Sequence, residues 1–255
     1  MEIRPYILAE TNWKAVKETT YEVAILPWGA TEAHNYHMPY GTDYYEGEAV
    51  AALSAEKAWN KETNTIVLPC IPFGINTGQL DVKLCMNMNP STQYAILTDI
   101  VDVLLRHDIK KLVLINSHGG NNFKNMIREM SIDQPNMFMC SLNWFGIGNH
   151  LDYFDEPGDH AGEMETSMVM HIKPHLLLPL SEAGPGAEKK NKVKGIREGW
   201  VTSQRQWTQV TDDTGIGNPS KSTADKGKRY MDMVSDEICE FLIELAEADP
   251  SDMYE

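Results

Sequence analysis

Twice in this chain a short apolar run stops and gives way at once to residues of the kind that hold metals. Val23 to Leu26 breaks at Pro27 and Gly29, and Glu32, His34, His37 and Asp43 follow in one loop. Lys111-Leu-Val-Leu-Ile-Asn116 runs directly into Ser117-His-Gly-Gly-Asn-Asn122. Two further runs, Thr65 to Ile71 and Asn136 to Leu142, have the same β-branched and apolar character. Stretches with helical spacing separate them. Tyr45 to Trp59 carries Ala49, Val50, Ala52, Leu53 and Trp59. A helix from Pro90 to about His107, with Asn89 as N-cap, shows Ile96, Ile100, Val103 and Leu104 on one face. Phe123, Met126, Ile127 and Met130 mark another. Near-continuous apolar strands alternating with helices predict an α/β fold, a mostly parallel sheet covered on both faces. In such folds ligands bind beyond the carboxyl ends of the strands, where both polar clusters fall.

The 255 residues are read as one domain spanning 1–255, with no repeat and no linker. Ser181 to Ser220, rich in Gly, Lys and Gln, reads as long loops or a short hairpin, a lid or a subunit contact. Ser222-Thr-Ala-Asp225 resembles a capping box opening a terminal helix with Tyr230, Val234, Ile238, Phe241, Leu242 and Leu245 inward. A net charge of −15 argues against nucleic acid and anionic membrane surfaces as partners. Cys70, Cys85, Cys140 and Cys239 are scattered and read as reduced thiols. Met-Glu-Ile-Arg-Pro-Tyr at the N-terminus has no signal-peptide pattern, and no apolar run approaches membrane-spanning length, so a cytoplasmic location is expected.

Three clusters carry chemistry. On an extended segment Glu32 and His34 project to the same side, and Pro39 and Gly41 turn the chain so that Asp43 can return toward them. Carboxylates and imidazole converging in this way suit a divalent cation; the competing reading is a polar loop whose charges face water. After His118, Gly119 and Gly120 allow backbone to approach a bound substrate, and the helix N-terminus beyond favours negative charge; the alternative is a histidine that only caps a strand. In Asp159-His-Ala-Gly-Glu-Met-Glu-Thr-Ser167, His160 and Glu163 can address one site. Glu165 cannot point the same way as Glu163 once the helix has begun, so one of the two carboxylates is structural. Trp144 either stacks on a planar substrate or belongs to the core.

The stretch Thr31-Glu-Ala-His-Asn-Tyr-His-Met-Pro-Tyr-Gly-Thr-Asp43 resembles the T-E-x-H-x-x-H-x-P-x-G-T-D signature of the creatininase (creatinine amidohydrolase) family. Asn116-Ser-His-Gly-Gly-Asn121 is similar to its second motif and His160-Ala-Gly-Glu-Met-Glu-Thr-Ser167 to its third. Gly215 to Gly227 resembles its closing segment, and the matches come in family order. The resemblance implies a three-layer α/β sandwich, a homo-oligomer, often a hexamer, and two divalent metals, zinc or manganese, with iron as a further option. It implies that Glu32, Asp43 and His118 surround one metal and His34 and Asp43 the other, Asp43 bridging. Creatininase takes a further carboxylate where this chain has Gly120, and Glu163 is expected to replace it. His160 then serves as the acid–base residue beside Glu163, and His37 takes a structural hydrogen-bonding role. The implied activity is metal-dependent hydrolysis of a non-peptide C–N bond, in a cyclic amide or formamide of a small molecule, by a water that two metals activate. The alternatives are a non-catalytic or single-metal binder on the same fold, or a small-peptide metallopeptidase. Ile75 to Gln79 and Cys85 to Pro90 stand where members often carry Ser-x-Glu-His-like and Phe-Pro-Gly-Thr stretches, which argues against creatinine as substrate.

Overall fold

Along the strand Val23–Trp28 every residue is buried, and successive side chains feed opposite cores. Val23 and Ile25 enter one apolar cluster while Ala24, Leu26 and Trp28 enter the other, as the two-residue period of a strand requires. We label this strand β1. Lys111–Asn116 (β3) repeats the pattern, with Val113 and Ile115 on one side and Leu112 and Leu114 on the other. With Thr65–Val67 (β2) and Phe138–Asn143 (β4) they make a parallel four-stranded sheet in the order β2-β1-β3-β4. This computed structural model describes residues 3–156 and 158–254. The N-terminal reading that includes Met1 and Glu2 lies in part outside the described residues, as do Pro157 and Glu255.

Helices cover both faces, giving three layers. Thr42–Trp59 (α2), Glu163–Ile172 (α5) and Ala224–Glu247 (α8) pack on one, through Val50, Ala55, Met168, Val234, Ile238 and Leu242. Pro90–Arg106 (α3) and Lys124–Asp133 (α4) pack on the other, through Leu97, Val101, Met126 and Met130. Three short helices, Trp13–Glu18 (α1), Lys194–Arg197 (α6) and Trp207–Val210 (α7), lie outside these layers. Strand order reverses between β1 and β3, because α2 carries the chain to one side and α3 carries it back past β1. That reversal opens a crevice at the carboxyl ends of β1 and β3.

Local boundaries differ from the sequence expectations for identifiable reasons. The run Thr65 to Ile71 is a strand only to Val67, since Pro69 cannot donate to a ladder; Ile71 rejoins β1 as a single bridge to Trp28. The buried face of α3 is Gln93, Leu97, Val101 and Leu104, and Val103 is exposed. The helix is turned by the buried Gln93 amide, which donates to Asn121 Oδ1 at 2.9 Å. Thr223, not Ser222, caps α8 by accepting the Lys226 N–H. The stretch from 181 to 220 contains short helical turns and no hairpin among the described residues. Helices α5 and α8 touch backbone to backbone at Gly227, where a β-carbon would lie 2.0 Å from the Ser167 carbonyl oxygen.

Candidate metal centre

The loop after β1 folds back on itself, and the Glu32 N–H donates to the Tyr40 carbonyl at 3.1 Å. This turn delivers Asp43 into the first turn of α2, facing Glu32 and His34. From the end of β3 comes His118. Its Nδ1 lies 3.0 Å from Glu32 Oε1 and 3.0 Å from Asp43 Oδ2. His34 Nε2 lies 2.9 Å from Asp43 Oδ1 and 4.0 Å from both Glu32 Oε1 and Glu165 Oε1. His160 brings its Nδ1 within 3.9 Å of Glu32 Oε1, and its ring sits 4.1 Å from that of His34.

Three histidines here share one arrangement. His118 has its Nε2 on the Ile75 carbonyl (3.0 Å), His34 its Nδ1 on the Glu32 carbonyl (3.2 Å), and His160 its Nε2 on the Ala33 carbonyl (2.9 Å). A carbonyl only accepts, so in each ring that nitrogen carries the proton and the other can present a lone pair to the cluster. Outer partners orient metal-binding imidazoles in this way. Among the described residues, His34 Nε2 and Asp43 Oδ2 are buried without a hydrogen-bond partner, although 2.9–3.0 Å from opposite charges. Their lone pairs converge on common points instead of on each other, so the donor set fits divalent cations. Grouped by reach, the candidate donors among the described residues form three overlapping sets: Glu32, Asp43 and His118; His34, Asp43 and Glu165; and Glu32, His34 and His160.

Electrostatics agree with that fit. Burial alone lowers the pKa of His34, but Asp43, Glu165 and Glu32 outweigh it and raise it to about 10. His118 is likewise raised well above the usual value against its burial, by Glu32 and Asp43. Burial raises the Asp43 carboxyl, yet the two imidazoles hold it far below the ordinary range. Without a cation, protons on His34 and His118 supply the positive charge this nest demands.

Several expected residues fall elsewhere. Glu163 does not join the cluster: its carboxylate pairs with Lys226 and accepts the Glu156 N–H at 2.7 Å. Glu165 reaches the cluster instead, with Oε2 on the Ala161 N–H and Oε1 toward His34. The two stand on different sides of α5's first turn, and Ala161, at φ 51°, supplies the twist that aims His160 inward. Trp144 is not at the cavity; it is 1% exposed, donates to Ser117 Oγ at 2.6 Å and packs on Tyr230. His37 lies behind the cluster on Thr166 Oγ1 at 3.0 Å, and burial first, then His34, lowers it to about 4. Gly119 and Gly120 do line the cavity. A β-carbon at Gly120 would sit 2.3 Å from the Ile75 oxygen, so the glycine is what lets that carbonyl reach His118. A carboxylate-bearing side chain cannot occupy that position.

The cavity, about 430 Å³, is walled by Gln79, Phe145, His150, Gln204, Arg205 and Trp207, residues that sequence reasoning missed. Trp207 lies 4.7 Å from the His160 ring, and Arg205 binds Asp159 at 2.8 Å while lying over Trp207. They come from the stretch between 181 and 220, which has neither strand nor long helix to announce them. Ile216 clamps His160 from the other side, exchanging backbone hydrogen bonds of 2.8 and 3.0 Å. Glu46, one helical turn beyond Asp43, is wholly buried, and neither oxygen has a hydrogen-bond partner among the described residues. Burial first, then Glu165 and Asp43, raises its pKa well above the usual range.

Comparison with known proteins follows the same lines. The creatininase family model, described as creatinine amidohydrolase, matches residues 9–242. A crystal structure from Bacteroides fragilis NCTC 9343, provisionally described as a creatinine amidohydrolase, is 39% identical and superposes with a TM-score of 0.92 over 98% of this chain and 99% of that one. The Mycobacterium ulcerans mycofactocin precursor peptide peptidase is 25% identical over 89% of this chain and 87% of its own length. The Pseudomonas putida creatinine amidohydrolase is 22% identical over 67% of this chain and 73% of its own.

Proposed function

Because the chain belongs to the creatininase family, we propose that it is a metal-dependent hydrolase of a C–N bond with a two-metal centre. Glu32, Asp43 and His118 would hold one divalent cation, zinc or manganese, and His34, Asp43 and Glu165 the other, with Asp43 shared. The observation that carries this reading is the set of three imidazoles, each fixed by a backbone carbonyl so that its free nitrogen faces the same carboxylates. Glu165 would supply the carboxylate that Gly120 cannot, which supports two cations over a single-metal binder. Bound cations would supply Lewis acidity, activating a water and polarising the substrate carbonyl.

The chain's own residues do the rest. His160, with Nε2–H on the Ala33 carbonyl, keeps Nδ1 free to hold a proton and pass it to the departing nitrogen. Gly119 and Gly120 leave backbone exposed along the cavity, and Trp207 offers a ring face beside His160 for a flat acyl or heterocyclic group. A small amide, cyclic or formyl, suits a cavity of about 430 Å³. A short peptide is the second reading, favoured by likeness to a peptidase of a peptide precursor and by a neighbouring cavity that shares Ser203, Gln204 and Arg205 as lining. The four free thiols agree with a reducing, cytoplasmic setting, and the family resemblance carries the expectation of a homo-oligomer. Among the described residues no helix is long and apolar enough to cross a membrane.

Metal analysis of the purified chain, followed by a screen of cyclic amides, formamides and short peptides with zinc or manganese, tests the reading. Metal near two equivalents and turnover abolished by chelation are expected. A chain that stays metal-free after reconstitution with both ions overturns it.

A further inference from the structure

Behind Glu32 runs a buried chain of hydrogen bonds that no step above uses. The Ala33 N–H donates to Cys85 Sγ at 3.2 Å, and the Cys85 thiol donates to Gln79 Oε1 at 3.2 Å. The Gln79 Nε2 then donates to Glu32 Oε2, the oxygen that does not face His118. Glu32, Gln79 and Cys85 are 2%, 1% and 8% exposed, so water does not compete for these bonds. From this geometry we infer that Gln79, with its amide oriented by the Cys85 thiol, is the positioning residue that holds Glu32 Oε1 toward the metal centre.

The direction of the relay follows from its chemistry. A carboxylate only accepts, so the amide must turn its NH₂ to Glu32 and its oxygen to Cys85. An oxygen there demands a donor, which a protonated thiol provides. Burial first raises the Cys85 pKa, to about 11, and keeps the thiol protonated; the sulfur is a hydrogen-bond donor, not a nucleophile or a metal ligand. Tying down Oε2 leaves Glu32 able to offer Oε1 alone, and a one-oxygen ligand lets a second carboxylate, Asp43, serve the same ion. The same stretch couples to His160: the Ala33 N–H feeds the relay, and the Ala33 carbonyl fixes the imidazole. A slack relay therefore loosens the ligand and the proton-transferring ring together. Gln79 sits in the turn Thr77–Gln79, whose Gly78 lies against the Arg205 carbonyl, so the cavity wall also bears on it.

This inference rests on the two-metal reading, and its test separates the two. Zn²⁺ affinity is measured by competition with a chromogenic chelator for the full chain, with folding checked by circular dichroism. Gln79→Leu, which deletes the donor, is expected to weaken zinc binding about 10–100-fold, as loss of an outer partner does. Gln79→Glu, nearly the same shape but acidic, should weaken it at least as much. Cys85→Ala should weaken it less, Cys85→Ser should restore it to within about threefold, and Cys85→Ala added to Gln79→Leu should cost nothing further. Unchanged zinc affinity in folded Gln79→Leu or Gln79→Glu, or a Cys85→Ala loss that adds in full to that of Gln79→Leu, overturns the relay while leaving the metal reading intact. A wild-type chain that binds no zinc overturns both.

Discussion

The floor and the wall of the cavity are built on opposite principles. The floor comes from the loops that follow β1 and β3 and from the first turn of α2: Glu32, His34, Asp43 and His118 are all buried, and each imidazole is pinned by a main-chain carbonyl. The wall, from Ser203 to Trp207, is fastened by surface contacts, Arg205 to Asp159 and Gln206 to Asp81, each 2.8 Å long and exposed. Water competes with and screens exposed contacts of this kind, so the wall can change sequence or shift at little cost. A buried carboxylate or imidazole left without its partner costs several times more. Chemistry shared across a family belongs on such a floor, and what distinguishes one substrate from another belongs on such a wall.

Asp43→Ala is the hardest test of the floor. Asp43 alone appears in both ligand groups centred on His118 and on Glu165. Its loss should abolish stoichiometric binding of both ions and lower kcat/KM well beyond the ~10–100-fold that follows loss of an outer partner. Elemental analysis after gel filtration measures the first, and steady-state kinetics the second. Retention of two tight equivalents in this variant contradicts the shared-ligand assignment.

A paired comparison on α5 sharpens the assignment of carboxylates. Glu165→Gln should bind one equivalent in place of two and lose most activity. Glu163→Gln should keep both equivalents and be destabilised by about 1.5–3 kcal/mol, the worth of a hydrogen bond to a charged group, because Glu163 fastens α5 to Lys226 and the Glu156 amide. Thermal melts with metal counting decide between them. The reverse pattern restores Glu163 as the ligand.

Acid and base should act on the floor in a defined direction. His34, raised to about 10 in the metal-free chain, and His118, raised likewise, must lose protons for a cation to bind. Zinc binding at pH 7.5 should therefore release protons, seen as a calorimetric heat that changes with buffer, and affinity should rise with pH. For the metal-free fold the raised imidazoles stabilise fully below about pH 6.5, the ordinary histidine value, and that stabilisation fades as pH climbs toward 10. Glu46, also raised, adds to the loss above about pH 4.5. The melting temperature of chelator-treated protein should fall from pH 6.5 to 10, and Glu46→Gln should flatten that fall. A melting temperature that climbs over the same interval contradicts the charge arrangement.

What the sequence made legible divides along the same line. The parallel sheet, its covering helices and the converging Glu32, His34, Asp43 and His118 follow from apolar runs that end in polar clusters, a local signal that tertiary structure does not reverse. Spacing alone cannot say where a helix begins, so it could not tell that the Glu163 carboxylate turns to Lys226 while Glu165 turns to His34. Helix α5 begins at Glu163, just after Ala161 in the left-handed region, so Glu163 and Glu165 leave its first turn on different sides. Trp144 read equally as core or cavity, and the Ser117 hydroxyl, unseen in any local pattern, draws it into the core. Gln79, Arg205 and Trp207 lie in loops or helical turns of three or four residues, too short to carry a periodicity that could point to them.

The wall should answer with smaller changes, and mainly in binding. Trp207→Ala removes the ring beside His160 and the support beneath Arg205, while leaving every proposed ligand in place. An aromatic pair of this kind contributes about 0.5–1.5 kcal/mol beyond its buried area, which corresponds to roughly a 2- to 13-fold rise in KM. Metal stoichiometry should not move. Trp207→Phe should recover most of the loss, since it keeps a ring face without the indole N–H. If Trp207→Ala lowers kcat at unchanged KM, the ring positions His160 for proton transfer instead of holding substrate. The residue would then belong to the floor, and the division between fixed chemistry and adjustable recognition would run through the wall itself.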